Sequence, residues 1–344
     1  MKKILPAEWE PQSCVQLTWP HEETDWQPYL KEINHTFVEM VEAITRFEPV
    51  VIAARLVTDV PLRVREMESV SIFECPTNDT WARDHGAITL VDRDAESSPS
   101  VMLGFCFNGW GKKFPADLDN AIARKLWEAG AFGRKITFED HDDFVLEGGS
   151  IESDGKGTVF TTSQCLMAPN RNQPMGREEI EKELKRRLHA ERVVWLDYGN
   201  LVGDDTDGHI DTIVRVAPDD TLLYVKCEDR EDEQYDDFLA LEQQLKSLLT
   251  SEGHPYRLIP LPMPAPVYEQ EGEERGQRLP ATYANFLVIN GAVICPVYGQ
   301  PENDRKALEG IAKAFPEREI IPIDSRTIIR QHGSIHCLTM QFPR

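Results

Sequence analysis

The amino-acid sequence predicts an α/β fold in which a single catalytic domain, residues 1–344, is made of five repeated units. Three observations carry that expectation. A strand–helix–strand–strand order recurs along the chain, four polar motifs recur at about the length of one unit, and no linker or low-complexity stretch separates the units. A single core stops growing beyond roughly 250–300 residues. A chain of 344 residues, 41% of them hydrophobic, therefore splits into domains or repeats, and the unbroken pattern favours repetition.

The units run in order along the chain. Near the N-terminus, Ser13–Thr18 is a strand, Tyr29–Phe47 a helix and Val50–Ala54 a strand; an excursion at Pro61–Cys75 precedes the strand Gly86–Val91. In the second unit Val101–Phe105 is a strand and Ala116–Ala129 a helix, with Asp117 and Asp119 in its first turn and Gly130 after its end. Lys135–Phe138 and Phe144–Ile151 complete it as strands. The third unit has Thr158–Thr162, a helix over Arg177–Leu188, Arg192–Leu196 and His209–Val216. The fourth has Thr221–Lys226, a helix near Asp232–Leu249, Tyr256–Leu261 and Thr282–Ile289. The fifth has Ala292–Cys295, a helix near Glu302–Ala314, Glu319–Ile323 and Ile335–Gln341. Ala95–Ser100 reads as a polar loop. Pro262–Pro280, rich in Pro, Glu and Gly, reads either as a lid or as a plain mobile loop.

Charge narrows the partners. With 37 basic and 59 acidic residues the formal net charge is −22. Nucleic acid and anionic membranes are disfavoured, because both require a basic face; a small cationic ligand is compatible. No apolar run approaches the ~18 residues of a membrane span. Met1-Lys2-Lys3-Ile4-Leu5-Pro6 has the charge of a signal peptide without its apolar stretch, so the expected compartment is the cytoplasm. Seven widely spaced cysteines without a CxxC pair argue against a disulfide framework or zinc ribbon.

Four segments concentrate chemistry: Asn78-Asp79-Thr80-Trp81-Ala82-Arg83-Asp84-His85-Gly86, Leu146-Glu147-Gly148-Gly149, Asp204-Asp205-Thr206-Asp207-Gly208-His209-Ile210-Asp211, and Gly333-Ser334-Ile335-His336-Cys337. Alone, each has an ordinary structural reading. Their spacing changes the balance: 147 − 84 = 63, 209 − 147 = 62, and 337 − 209 = 128, twice 64. Each lies on or just before the final strand of a unit, and the remaining unit contributes Tyr283-Ala284-Asn285. If the units surround a common axis, these positions converge on one pocket. Cys337 with His209 then forms a nucleophile–base pair. Asp84, Glu147 and Asp211 could bind a metal with His209, or a planar cation such as a guanidinium, whose donors suit paired carboxylates. Metal is the weaker reading, because the only close His/carboxylate pair is His209-x-Asp211. A Cys/His amidohydrolase or protease leaves the three carboxylates without a purpose, and a non-catalytic guanidine-binding module leaves Cys337 and His209 without one.

This motif set resembles that of the agmatine deiminases, in the guanidino-group-modifying superfamily that also holds bacterial-type peptidylarginine deiminases. The likeness runs from Leu5-Pro6-Ala7-Glu8-Trp9 to Gln341-Phe342-Pro343 and includes Trp19-Pro20-His21, Phe107-Asn108-Gly109-Trp110-Gly111 and Pro169-Asn170-Arg171-Asn172. It implies a five-bladed α/β propeller (pentein) of ββαβ units with the site in a central channel. It implies Cys337 as nucleophile, His209 as general acid/base, Asp84 and Asp211 gripping the guanidinium, and Glu147 holding His209 and a substrate nitrogen. Trp81, Asp205, Asn285, Gly333 and Ser334 are the expected substrate-binding residues. The implied reaction hydrolyses agmatine to N-carbamoylputrescine and ammonia through a covalent thiouronium, in polyamine metabolism, with no cofactor and no metal; free arginine or peptidyl-arginine is the alternative substrate. The family often forms homo-oligomers. Two departures border the channel mouth: Asp205-Thr206-Asp207 replaces a Glu-Thr-Asn, and Arg330-Gln331-His332-Gly333-Ser334 replaces a glycine run.

Overall fold

The computed structural model describes residues 3–93, 100–133, 135–272 and 274–344. Of the expected polar loop Ala95–Ser100, all but Ser100 lies outside the described residues. The architecture is mixed α/β, and five of its sheets share one connectivity. In each, a leading strand runs antiparallel to a second, a helical segment comes next, and a third strand returns parallel to the second. Antiparallel neighbours can join through a tight turn, whereas a parallel pair needs a crossover, which the helix supplies.

Ile88–Leu90, Val101–Cys106 and Thr137–Val145 form one such sheet. Ile151–Ser153, Thr158–Thr162 and Arg192–Leu196 form the next. Val214–Ala217, Thr221–Lys226 and Arg257–Pro262 make the third, and Leu287–Ile289, Ala292–Val297 and Glu319–Asp324 the fourth. The fifth sheet joins the two ends of the chain. Thr339–Pro343 pairs antiparallel with Gln12–Thr18, which pairs parallel with Val50–Ala54, and the Val70–Glu74 strand adds an edge.

The strand that closes each unit in the sequence pattern therefore opens the next sheet. The short connections from Ser153 to Thr158, Ala217 to Thr221 and Ile289 to Ala292 pair each of those strands with its successor in the chain. The pattern of apolar residues marks strands but is silent on which neighbour each one takes.

Four expected strands are interrupted or shortened; one of them, Ile335–Gln341, is a strand only from Thr339. Phe144–Ile151 breaks into the end of one strand, a single 3-10 turn at Gly148–Ser150 and the start of another. His209–Val216 opens with a 3-10 turn at Ile210–Thr212, and Thr282–Ile289 is a strand only from Leu287. Pro262–Pro280 contains a two-stranded hairpin, Val267–Tyr268 with Arg278–Leu279.

Helices cover the sheets. Leu30–Thr45 buries Ile33, Phe37, Met40, Val41 and Ile44 along one stripe, within a cluster that also holds Val50 and Ile52 of the fifth sheet and Leu287 and Ile294 of its neighbour. Each such side chain contributes about 1.5–3 kcal/mol on burial, so this helix ties adjacent sheets together. Among the described residues no helix is long and apolar enough to cross a membrane. All seven cysteines are free thiols.

Candidate active site

The breaks in the strand pattern are where the candidate residues sit. Asp84 lies in the one-turn helix Ala82–His85, before the strand at Ile88. Glu147 precedes the turn at Gly148, His209 and Asp211 flank Ile210 at the next turn, and Cys337 lies two residues before the strand at Thr339. All five are buried.

Backbone and side-chain bonds lock these segments to one another. The Arg83 N–H donates to the Cys337 carbonyl at 3.1 Å. Asn285 accepts from the Cys337 N–H at 3.2 Å, lies 3.3 Å from its sulfur, and donates to the Asp211 carbonyl at 3.3 Å. The Asn285 side chain thus braces Cys337 against Asp211. Ser334 is buried, 3.4 Å from the Tyr298 hydroxyl. Trp81 and Gly333 pack on each other so closely that a Cβ on Gly333 would lie 2.1 Å from the indole.

At the centre, Asp84 accepts from the Trp110 indole N–H at 2.9 Å and from the Gly149 N–H at 3.1 Å. Its Oδ1 is 3.6 Å from Nδ1 of His209. Gly149 is surrounded: a Cβ there would lie 2.6 Å from His209 Nδ1, 2.9 Å from Asp84 Oδ1 and 3.1 Å from Asp211 Oδ2. Asp211 Oδ2 lies 3.9 Å from Cys337 Sγ and 2.6 Å from Nδ1 of His336. On His209 and Asp211, three buried polar atoms have no hydrogen-bond partner among the described residues: both ring nitrogens of His209 and Oδ1 of Asp211. Buried polar groups are normally satisfied, so these atoms mark where a polar ligand would bond.

Glu147 has a strong partner that is not His209. Arg171 Nε donates to it at 3.0 Å, Arg171 Nη1 to Asp207 at 2.6 Å and Arg171 Nη2 to the Thr206 carbonyl at 2.7 Å. Arg171 therefore holds the loop before His209 as well as the carboxylate. Lys113 adds bonds to Asp207 and to the Asp205 carbonyl, both at 2.6 Å.

Burial dominates the electrostatics of the centre. Burial pushes Asp84 well above the usual carboxylate range, and the charges of Asp211 and Glu147 push the same way. Burial, then Asp211 and Asp84, also raises the Cys337 thiol well above its ordinary value. His209 is lowered to about 3, chiefly by burial. Burial would raise Asp211 too, but the His336 hydrogen bond and nearby cations outweigh it and leave Asp211 below its usual value. The centre is thus an acidic, desolvated site in which burial favours a neutral thiol and a neutral imidazole.

A cavity of about 340 Å3 opens above it. Cys337, Asp84, Trp81 and Trp110 line its buried part, and Asp205, Glu271 and Glu274 lie among the more exposed lining. No Lys or Arg lines it among the described residues. Arg330, next to the mouth, is occupied: its guanidinium bonds both oxygens of Glu269 at 2.8 Å and stacks 3.5 Å over the Tyr29 ring.

Among the described residues, two groups of donors lie close enough to share an ion: Glu147, Cys165 and His209, and Glu8, Glu152 and His336. In each, an arginine already sits on the carboxylates, Arg171 in the first and Arg215 in the second.

Sequence reasoning assigned no role to Arg171, Trp110, His336, Glu8 or Arg215. The first four stand inside the motifs named above, which was the available signal. Arg215 had a different one, a lone charge in the apolar strand Val214-Arg215-Val216.

Known proteins bear on the geometry. The profile of the Porphyromonas-type peptidyl-arginine deiminases matches residues 4–343. The agmatine deiminase of Pseudomonas syringae pv. syringae is 34% identical over 358 residues, covering 98% of this chain and 95% of that protein. A Porphyromonas gingivalis structure, proposed to be an arginine deiminase, is 46% identical with a TM-score of 0.91 and covers 100% of this chain and 99% of its own. A cysteine-to-serine variant of C. jejuni agmatine deiminase, solved with substrate bound, is 37% identical with a TM-score of 0.89, covering 99% and 96%.

Proposed function

The chain belongs to the Porphyromonas-type peptidyl-arginine deiminase family, and we propose that it hydrolyses the guanidinium of agmatine to N-carbamoylputrescine and ammonia. The observation that carries the reading is the cavity. Its buried end holds Cys337 and Asp84, its wall is acidic, and no Lys or Arg lines it among the described residues. A dication fits that field from end to end. An arginine substrate would bring an α-carboxylate to a mouth where Arg330 is already bound by Glu269.

The chemistry is dictated by the charges. A guanidinium between Asp84 and Asp211 compensates the carboxylates and reverses the field at Cys337, so the thiol proton moves to His209. The thiolate adds to the guanidinium carbon. His209 returns that proton to the departing nitrogen, ammonia leaves, and a thiouronium remains on sulfur. Neutral His209 then takes a proton from water as hydroxide adds to the same carbon; the C–S bond breaks, the hydroxyl proton passes to the leaving sulfur of Cys337, the neutral ureido product departs, and His209 gives its proton up to solvent, where it ends on the released ammonia. Each step uses a neutral imidazole and a neutral thiol at rest, the states that burial favours here.

The five sheets of common connectivity are blades of one propeller in this reading, and the residues before their leading strands face a central channel. The pairing of Thr339–Pro343 with Gln12–Thr18 supports it, since this pairing brings the last repeat to the first. Asp205 meets the distal ammonium, and Trp81 and Gly333 line the alkyl path.

A panel of agmatine, free arginine and an arginyl peptide, read by ureido-group formation, tests the assignment. Agmatine should give the highest kcat/KM; a higher value for either arginine compound overturns the substrate while leaving the chemistry in place.

A further inference from the structure

Arg330, Gln331 and His332 stand where the resemblance expects a glycine run, and no step of the reaction uses them. Arg330 is anchored from two sides. Its backbone lies in the 3-10 turn Ile328–Gln331, held by the buried side chains of Ile328 and Ile329. Its guanidinium stacks 3.5 Å over the ring of Tyr29, and Tyr29 lines the cavity. A guanidinium freed from its partner would therefore stay at the mouth, where its planar fork suits a substrate carboxylate.

Glu269 keeps that fork occupied. It directly follows the strand Val267–Tyr268 of the hairpin, and main-chain bonds fix it there. Its N–H donates to the Gln277 carbonyl at 3.0 Å, and its carbonyl accepts from the Gly276 N–H at 2.8 Å. The side chain is only 4% exposed. Oε2 accepts from Nε of Arg330 and Oε1 from Nη2, both at 2.8 Å. Oε1 also accepts from the Gln270 and Glu271 N–H groups, at 2.7 and 2.9 Å. Burial by itself would raise Glu269, but Arg330 and these N–H groups outweigh it and hold the carboxyl below its usual value.

Within the agmatine reading, on which this rests, we propose that Glu269 is a positioning residue that sets substrate class: by occupying Arg330 it denies that cation to an α-carboxylate and reserves the site for guanidines whose far end is cationic. An incoming carboxylate finds Arg330 taken. It finds Lys113 bound to Asp207 and to the Asp205 carbonyl, both at 2.6 Å. It also meets Asp205, Glu271 and Glu274 on the lining, like charges that act against the wrong ligand alone. The ammonium of agmatine meets the same wall as an attraction.

The test compares agmatine, free arginine and argininamide, which lacks the carboxylate charge, by ureido-group formation. On the wild-type protein argininamide should exceed arginine in kcat/KM by at least about 10-fold, the lower end for one hydrogen bond to a charged group. Glu269→Gln keeps an acceptor for the Gln270 and Glu271 N–H groups but removes the charge that pairs Arg330. It should raise kcat/KM for arginine by about 10- to 100-fold, chiefly through KM, with no such gain for argininamide. Adding Arg330→Gln should abolish the gain. A merely structural role lowers all three substrates together; that uniform loss, or an arginine-to-agmatine ratio unchanged from wild type, overturns the proposal. If Glu269→Gln does not fold, Glu269→Asp, which keeps the charge but shortens its reach to Arg330, should show a smaller gain of the same sign, and its absence overturns the proposal. The wild-type ratio of agmatine to arginine tests the agmatine reading, whereas the change in that ratio tests Glu269, so the two fail separately.

Discussion

An alanine at position 149 would place its Cβ 2.6 Å from Nδ1 of His209, 2.9 Å from Oδ1 of Asp84 and 3.1 Å from Oδ2 of Asp211. Ordinary van der Waals contact begins at 3.4 Å, so His209 would have to retreat by 3.4 − 2.6 = 0.8 Å and Asp84 by 3.4 − 2.9 = 0.5 Å. A misplacement of about 1 Å in reacting groups costs on the order of 100-fold in rate. The stability effect is smaller. One extra methyl in a packed site costs about 1–3 kcal/mol. With an unfolding entropy of about 2.1 cal/mol/K per residue over 344 residues, each kcal/mol lowers Tm by about 1.4 °C. Gly149→Ala should therefore lose about two orders of magnitude in kcat/KM while Tm falls by only about 1–4 °C. Steady-state ureido formation and calorimetry on the same preparation check both. Wild-type kcat/KM would refute the reasoning, and so would a much larger fall in Tm, which would place the damage in the fold.

Asp84→Asn should raise the Tm of the ligand-free protein at neutral pH and abolish agmatine binding. The folded protein holds this carboxyl above its unfolded value, so its contribution is favourable below that value and is lost as pH rises toward the folded one. The advantage of the variant should accordingly vanish below about pH 3.8, the ordinary value, in a pH series of thermal melts. Arg171→Gln breaks an ion pair whose two side chains are both fully buried. It should cost about 3–5 kcal/mol, seen as a lower denaturation midpoint at an unchanged m-value. Asp205→Asn should raise KM for agmatine a few-fold at constant kcat. Because the Asp205 side chain is 44% exposed, that difference should shrink with added salt.

Much of the fold was legible because apolar periodicity is local. Thr158–Thr162, Arg192–Leu196 and Thr221–Lys226 are strands with the very bounds their sequence suggests. Strand pairing was not legible, since it depends on whether a short turn folds a strand onto its successor. The interrupted strands are more instructive. Phe144–Ile151 reads as one apolar run, yet Gly148 cannot accept a Cβ without meeting the Arg83 carbonyl at 2.3 Å. The backbone approach that breaks the strand is a tertiary contact with a segment more than sixty residues away.

The site divides in the same way. The types and spacing of Asp84, Glu147, His209 and Cys337 could be read in one dimension, because a repeating architecture writes its geometry into sequence intervals. Their protonation states could not. A carboxylate acquires a raised or lowered pKa from its surroundings, and Asp84 and Asp211 are shifted in opposite directions within one site. Only the folded chain decides that His336, Glu8 and Arg215 stand behind one of them and not behind the other. Sequence by itself determined which chemical groups are available and how far apart they lie along the chain. Tertiary structure decided which are charged, because desolvation and Coulomb interaction depend on distances in space.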